Sequence, residues 1–164
     1  MAEDCTSDLV STLSIQKLRN LDEFKYIIFP KVLDSDCNTV TLGIGKDVVA
    51  EKQLLHKLGH CNFFGVDPDA EDSGQLYKDT VNGTFVQGLV GAKNGTYKAT
   101  VLNGRKYVTR ILPHFSFDEL MLKHYRKNFI DYFFMDIEGN EFDLMKELIS
   151  THKQFLKLYF NYKI

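Results

Sequence analysis

Short runs of β-branched and aromatic residues alternate with segments of helical spacing from about residue 37 onward. The runs end at glycine, proline or an acid and predict buried strands, and the segments between them predict helices. The predicted strands lie at about residues 39–42, 62–67, 84–90, 130–135 and 155–164. The predicted helices lie at about residues 48–58, 70–80, 116–125 and 141–150. This alternation predicts an α/β fold with a doubly wound, mostly parallel sheet.

The first 36 residues are assigned to a segment outside the predicted sheet. Its apolar residues at near-helical spacing are Leu9, Leu13, Leu18, Leu21 and Phe24. This spacing predicts a peripheral helix over residues 8–25. We therefore divide the chain into an N-terminal helical or peripheral segment (residues 1–36) and one main domain (residues 37–164).

Asn-Gly pairs in the middle of the chain predict tight turns. Those at residues 94–95 and 103–104 predict an added hairpin or meander over about residues 97–110. Asn82-Gly83-Thr84 and Asn94-Gly95-Thr96 also match the acceptor pattern for N-glycosylation. We interpret both as turns, because the first residues of the chain, Met-Ala-Glu-Asp, do not have the pattern of a signal peptide.

Composition and charge exclude several classes of protein. A chain of 164 residues that is 44% hydrophobic and 26% charged is typical of one globular domain. A net charge of -2 gives no basic field for a phosphate backbone, so nucleic acid is not an expected partner. No apolar stretch is long enough to predict a membrane span. The default expectation is a cytoplasmic location, and the oligomeric state is left open.

The three cysteines are Cys5, Cys37 and Cys61. They are too few and too widely spaced for a zinc site, so no metal is expected and three free thiols are the simplest interpretation. Cys37 and Cys61 each precede a predicted central strand, at the end of the sheet opposite to ligand binding. If those strands are neighbours, the two sulfur atoms lie close enough to pair.

Candidate chemistry lies at the carboxyl ends of the predicted strands, where doubly wound sheets bind ligands. The Gly-Ile-Gly turn at residues 43–45 allows a nucleoside to approach the backbone closely. Asp67 ends the next strand and is placed to accept hydrogen bonds from ribose hydroxyls. Asp136 and Glu138 follow the fourth strand and face the same crevice. Together these residues predict a site for a nucleoside cofactor.

The spacing of the glycines favours S-adenosylmethionine over a dinucleotide. A dinucleotide fingerprint places a third glycine at position 48, and this chain has Val48 there. S-adenosylmethionine has a ribose but no pyrophosphate, so two glycines and an acid suffice. An NAD-dependent oxidoreductase stays open as a second alternative.

Five blocks of the sequence resemble, in order, those of FkbM-type methyltransferases, in the style of the divergent nematode branch. The blocks lie at residues 40–45, 63–69, 86–96, 115–120 and 131–141. Val-Asp-Pro-Asp (66–69) and Asp-Ile-Glu-Gly-Asn-Glu (136–141) are the most specific parts. The resemblance covers about residues 37–150. It implies a Rossmann-like class I methyltransferase fold that uses S-adenosylmethionine, mostly for O-methylation of a small molecule or a sugar.

The resemblance also implies roles for individual residues. Asp136 and Glu138 would border the methyl-acceptor site and are the candidate catalytic residues, since a base must take the proton of the acceptor. His114 or His124 is an alternative base. The implied cofactor-binding residues are Gly43, Ile44, Gly45, Asp67, Pro68, Gly88 and Leu89.

Two features depart from the family pattern. The first strand of the family usually ends in an acid, where this chain has Thr41 and Leu42. A class I sheet also has more strands than the five predicted here. We therefore expect a domain that lacks the final antiparallel strands and exposes an apolar sheet edge at residues 155–162. The alternative function is a catalytically degenerate module that keeps the fold for binding or structure.

Overall fold

The computed structural model describes residues 11, 13–30, 37–91, 94–103, 106–137, 141–151 and 160–161. Within these residues the strands are β1 (Ile15–Arg19), β2 (Phe24–Ile28), β3 (Asn38–Leu42), β4 (Asn62–Asp67), β5 (Thr84–Gln87), β6 (Leu89–Gly91), β7 (Gly95–Asn103), β8 (Lys106–Ser116), β9 (Tyr132–Met135) and β10 (Phe160–Asn161). The helices are α1 (Val49–Leu58), α2 (Gln75–Val81), α3 (Phe117–Glu119) and α4 (Glu141–Thr151). One π-helical turn, Ala70–Gly74, leads into α2, and another, Leu120–Tyr125, continues α3.

A five-stranded parallel sheet forms the centre of the fold, with the strand order β10-β9-β3-β4-β5. The chain proceeds from β3 outward to β5 and then returns to β9 on the other side of β3. The order therefore reverses beside β3, as it does in a doubly wound sheet. This arrangement is compatible with the Rossmann-like fold that the sequence predicts, and β3, β4 and β9 confirm three of the predicted strands.

Apolar layers cover both faces of the sheet, because residues along each strand point alternately to the two faces. Leu54 of α1 and Tyr77 of α2 are fully buried on one face. Leu144 and Leu148 of α4 are fully buried on the other. The helices that position these residues agree with the predicted helices to within a few residues. In the part of the chain described here, no helix has both the length and the apolar character needed to cross a membrane.

Helix α1 begins beside an aspartate and ends at a glycine, two residue types that favour helix ends. The Asp47 carboxylate accepts a hydrogen bond from the Val49 backbone N–H (3.0 Å) at the start of the helix. Gly59 ends the helix in the left-handed conformation, with φ of 75°. Asn20 Oδ1 accepts from the Ala50 N–H (2.8 Å), so a side chain of the N-terminal segment satisfies a further donor of the first turn.

The predicted N-terminal helix over residues 8–25 is wrong in its described part, which forms a β-hairpin. Strands β1 and β2 pair antiparallel, and Leu18 and Ile27 are buried in the same apolar layer as α1. Leu21 and Phe24, which contributed to the helical spacing, are 76% and 48% exposed. Burial alternates along each strand, but apolar residues also occupy the outer face, so the period of two is hidden in the sequence.

A buried ion pair joins this hairpin to α1. Lys25 Nζ, on the inner face of β2, lies 3.0 Å from Oε1 of Glu51, whose side chain is 1% exposed. The Thr41 hydroxyl donates to the same oxygen, and the Tyr77 hydroxyl donates to Thr41 Oγ1, each at 3.3 Å. Burial raises the pKa of Tyr77, so its hydroxyl remains a donor. The hairpin is therefore tied to the central sheet by charge and hydrogen bonds as well as by apolar contact.

Replacing Lys25 by methionine is expected to lower the free energy of unfolding by about 2 kcal/mol, because the Glu51 carboxylate would stay buried without its cation. Methionine keeps much of the length of the side chain, and urea unfolding measures the loss. Lys52→Met, at an exposed position of α1, is the matched control and is expected to change stability by less than about 0.5 kcal/mol. Equal effects of the two substitutions would contradict a structural role for the ion pair.

The single strand predicted over residues 84–90 is instead two strands, divided at Gly88. Strand β5 stays beside β4 in the central sheet, whereas β6 pairs in parallel with β8 in a separate three-stranded sheet. A Cβ at Gly88 would lie 2.4 Å from the Phe115 ring. The chain can therefore pass from the central sheet to the second sheet here only because Gly88 has no side chain. Strands β7 and β8 confirm the predicted hairpin and extend it at both ends.

Cys37 and Cys61 are joined by a disulfide, with their Cα atoms 4.5 Å apart. They directly precede β3 and β4, and the Asn62 N–H donates to the Cys37 carbonyl (2.7 Å) at the amino end of this strand pair. The predicted proximity of the two sulfur atoms is confirmed, and the interpretation of both as free thiols is wrong. Cys5 lies outside the described residues.

Residues 160–161 are the described part of the predicted last strand. They form β10, which is parallel to β9 at one margin of the sheet. The side chains of residues 155–162 lie outside the described set, so the exposed apolar edge expected there stays a prediction.

Candidate functional site

A cleft of about 180 Å³ opens at the carboxyl ends of β3, β4 and β9. It lies where the strand order reverses, which is the position at which doubly wound sheets bind ligands. The predicted site residues that line it are Gly43, Ile44, Gly45, Asp67, Pro68, Gly88, Leu89 and Asp136. The structure thus brings together every predicted site residue that it describes, and Glu138 lies outside the described residues. The roles of these residues stay predictions.

The two glycines of the turn after β3 meet different requirements. Gly43 (φ 77°) approaches the end of β9 so closely that a Cβ would lie 1.9 Å from the backbone oxygen of Asp136. Gly45 (φ 63°) has no heavy atom of the described residues, apart from its own neighbours in the chain, within 4 Å of the position of a Cβ. Gly43 therefore allows β3 and β9 to end side by side, and Gly45 leaves room in the cleft for a ligand to approach the backbone.

Asp67 holds this turn in place. Its Oδ2 accepts hydrogen bonds from the backbone N–H groups of Ile44 and Gly45, both at 2.9 Å, and its Oδ1 accepts one from Asp69 at 2.8 Å. Burial raises the pKa of Asp67, and these donors and the Ser73 hydroxyl oppose the rise. The predicted ribose contact is compatible with this position, but the anchoring of the turn was missed, because no sequence pattern shows which donors a carboxylate meets.

Asp136 is a second acidic residue that lines the same cleft. Its backbone N–H donates to the Leu42 carbonyl (2.8 Å), which fixes the end of β9 beside the end of β3. The next N–H, of Ile137, donates to Glu141 Oε1 (3.0 Å) in the first turn of α4. Hydrogen bonds therefore fix the backbone on both sides of Asp136, and Asp136 itself is half-buried at the cleft.

The charged groups that line the cleft are mostly acidic. The described lining residues include three aspartates, Asp67, Asp69 and Asp136, and one lysine, Lys46. Lys46 forms an ion pair with Asp72, and the hydrogen bond to Asp72 raises the pKa of Lys46. This balance favours a cationic ligand over an anionic one.

The β7–β8 hairpin contributes two lining residues that sequence reasoning missed, Val101 and Tyr107. Val101 is buried, whereas Tyr107 is 61% exposed and so lies at the border of the cleft. The parallel pairing of β6 with β8 carries the hairpin to this position. Such a pairing between distant segments has no local sequence signal, and only the Asn-Gly turn that predicts the hairpin itself could have drawn attention to it.

Neither of the histidines considered as alternative bases lines the cleft. His114 Nδ1 lies 3.1 Å from the Leu112 carbonyl oxygen, and the His114 ring contacts the Tyr97 ring edge-on. His124 contacts the Phe115 ring and borders a different cavity, at the amino ends of β4 and β5. Asp136 is therefore a better candidate for acid-base chemistry at the cleft than either histidine.

A family model of the methyltransferase FkbM domain matches residues 11–157. The match includes the N-terminal hairpin, the central strands from β3 to β9 and the cleft between them. The chain belongs to the FkbM methyltransferase domain family. No curated protein and no solved structure matches it.

Acids line the cleft of this FkbM domain, although the acid that usually ends the first strand is absent. Thr41 and Leu42, at that position, do not line the cleft. The Thr41 hydroxyl donates to Glu51 on one face of the sheet, and Leu42 is buried in the apolar layer on the other. The two residues at the position of the missing acid therefore pack on the faces of the sheet, and Asp67 and Asp136 still line the cleft.

Proposed function

We propose that this FkbM domain is an S-adenosylmethionine-dependent methyltransferase that methylates a hydroxyl group of a small molecule or sugar. One observation carries the proposal: an open glycine turn, the buried acid that holds it and a second acid meet in one cleft. They do so at the carboxyl ends of adjacent parallel strands, in a chain of a methyltransferase family. The proposal includes the class I form of the Rossmann-like fold.

The lining of the cleft suits S-adenosylmethionine. The open side of Gly45 would let the cofactor contact the backbone of the turn. Leu89, Val90 and Ile137 provide apolar surface suited to an adenine ring. Asp67 would contact the ribose hydroxyls at the edge of the turn that it anchors. The acidic balance of the cleft suits a ligand that carries a sulfonium and an ammonium group.

When bound, S-adenosylmethionine supplies an activated methyl group on sulfur. The part of the protein is to hold the acceptor hydroxyl in line with that group and to remove its proton. Asp136 is proposed to accept this proton, because it lines the cleft and the two histidines do not. Glu138, two residues further on, is proposed as the second acid at the acceptor side. Tyr107, at the border of the cleft, is proposed to contact the acceptor.

Calorimetric titration of the full chain with S-adenosylmethionine and with S-adenosylhomocysteine tests the proposal. We expect heat of binding from both compounds. No heat from either compound, with a protein shown to be folded by circular dichroism, would overturn the proposal and favour the catalytically degenerate module. Binding of NAD alone would favour an oxidoreductase, against which Val48 at the position of the third glycine argues.

Gly45→Ala is expected to weaken S-adenosylmethionine binding at least about tenfold, which corresponds to ~1.4 kcal/mol, because its methyl group would occupy the open side of the turn. The substitution also strains the backbone, because Gly45 has φ of 63°, and should lower the free energy of unfolding by about 1 kcal/mol. Calorimetry and urea unfolding measure the two effects separately.

Gly59→Ala is the matched control for this substitution. Gly59 has φ of 75° and open space around a Cβ, as Gly45 does, but it ends α1 and does not line the cleft. We expect the same loss of stability and unchanged affinity. Equal affinities of the two variants would contradict the placement of the cofactor against the glycine turn.

A further inference from the structure

We propose that this chain folds in an oxidising compartment, where Asn82 receives an N-linked glycan. The proposal is independent of the methyltransferase assignment. It rests on a disulfide and an exposed acceptor motif, both at the amino ends of the central strands. It differs from two predictions of the sequence analysis: a cytoplasmic location, and Asn82-Gly83-Thr84 as a turn only.

The disulfide between Cys37 and Cys61 follows from the pairing of the strands. Strands β3 and β4 are hydrogen-bonded neighbours, and the Cα separation of 4.5 Å lies within the range of native disulfides. Forming the bond removes two electrons and two protons from the thiols, and a disulfide oxidant takes them up and becomes a dithiol. Disulfides of this kind persist in oxidising compartments and are rare in the cytosol.

The acceptor motif Asn82-Gly83-Thr84 lies at the surface. Asn82 ends α2 in the left-handed conformation (φ 51°) and is exposed, and Thr84 is exposed at the start of β5. Because β5 is at the margin of the central sheet, both side chains that the motif requires stand on the outside of the fold. A Cβ at Gly83 would lie 2.4 Å from the Tyr77 ring, so the glycine between them serves the packing.

A glycan on Asn82 would leave the cofactor cleft accessible. Asn82 borders a cavity at the amino ends of β4 and β5, together with Cys61 and Thr84, whereas the cleft lies at the carboxyl ends. The length of β4, at ~3.3 Å per residue, separates the two ends by roughly 16 Å. The modified position and the cleft can therefore be occupied together.

The modification is a substitution at a sugar carbon and needs a lipid-linked oligosaccharide as its co-reactant. The amide nitrogen of Asn82 forms a bond to C1 of the first sugar, and the bond from C1 to the lipid diphosphate oxygen breaks. The lipid diphosphate leaves with the electron pair of that bond, and the nitrogen loses one proton to the medium. Nothing is oxidised or reduced in this step.

Asn94-Gly95-Thr96 provides a control within the same chain. Asn94 is also exposed, but its Oδ1 accepts from the Ser116 backbone N–H (2.6 Å), so its carboxamide joins the start of β7 to the start of α3. Its backbone oxygen also accepts from the Tyr97 hydroxyl (3.0 Å). Asn94→Gln removes this second motif and leaves the Asn82 motif unchanged.

The test uses the full chain expressed in animal cells, once behind a cleavable secretory leader and once without it. Glycan occupancy is read by peptide mass spectrometry after enzymatic release of glycans in heavy-oxygen water, which labels each released site. Disulfide formation is read by thiol labelling of the denatured protein. We expect the exported chain to be folded, glycosylated at Asn82 and labelled at one of its three cysteines, and the cytosolic chain to be labelled at all three.

Variants of Thr84 separate loss of the glycan from loss of the fold, because they leave the left-handed residue Asn82 in place. We expect Thr84→Ala to abolish the Asn82 glycan, and Thr84→Ser and Asn94→Gln to retain it. A folded, exported chain without a glycan on Asn82 would overturn the proposal. So would three reactive thiols in that chain, or an exported chain that aggregates while the cytosolic chain folds.

Discussion

Asp67→Ala is expected to lower S-adenosylmethionine affinity more than about a hundredfold, or ~2.7 kcal/mol, and the free energy of unfolding by about 3 kcal/mol. The substitution leaves the N–H groups of Ile44, Gly45 and Asp69 without the acceptor they have in the folded protein. Removing a buried charge recovers part of its desolvation, so the loss of stability is smaller than three unpaired donors would give. Calorimetry and urea unfolding measure the two effects.

Asp131→Ala is the matched control for Asp67→Ala. Its Oδ2 accepts from the Asn38 backbone N–H (2.8 Å), so it is also an acid that holds the end of a central strand. It lies at the amino end of β3, away from the cleft. We expect a loss of stability with unchanged affinity for the cofactor. If the two variants lost affinity equally, the effect of Asp67 would be a general one of stability, and its place in the cofactor site would be refuted.

The alternation of strands and helices after residue 37 could be predicted from the sequence because local patterns determine it. The buried strands β3 and β4 are short runs rich in β-branched or aromatic residues with clear ends, at Gly43 and at Pro68. Their adjacency followed from the doubly wound order, and with it the proximity of Cys37 and Cys61. The same order placed Asp136 at the cleft.

The N-terminal hairpin could not be predicted from spacing alone. Its inner face carries Lys25 as well as Leu18 and Ile27, and a lysine on a core face makes no apolar pattern. The partner that allows Lys25 to be buried is Glu51, 26 residues away in another element. A pattern that depends on charge pairing across elements becomes visible only when both elements are in place.

The candidate site shows the same division between local and distant information. The glycine turn and the acids at the carboxyl ends of β4 and β9 are local features, and sequence reasoning found them. The anchoring of Ile44 and Gly45 by Asp67, and the arrival of Tyr107 from the hairpin, depend on contacts between segments that are far apart in the chain. Such contacts between distant segments determine the shape of the cleft, and they could be identified only from the structure.

Reduction of the bond between Cys37 and Cys61 is expected to lower the free energy of unfolding by about 3.5 kcal/mol, because the bond closes a loop with a sequence separation of 24 residues. For a chain of this size that loss lowers the melting temperature by roughly 10 °C. Melting curves with and without a phosphine reductant, with thiol labelling to show that the bond has opened, measure the effect.

Two variants separate the cross-link from other effects of the reductant. Cys5→Ser keeps the bond, so its melting temperature should fall on reduction as that of the unmodified chain does. The double variant Cys37→Ala with Cys61→Ala lacks the bond and should melt near the reduced protein with or without reductant. It also leaves small cavities, since Cys37 is 8% exposed in the apolar layer, so its melting temperature should not exceed that of the reduced chain. A chain whose thiols are shown to be free but whose melting temperature is unchanged would refute a stabilising role for the disulfide.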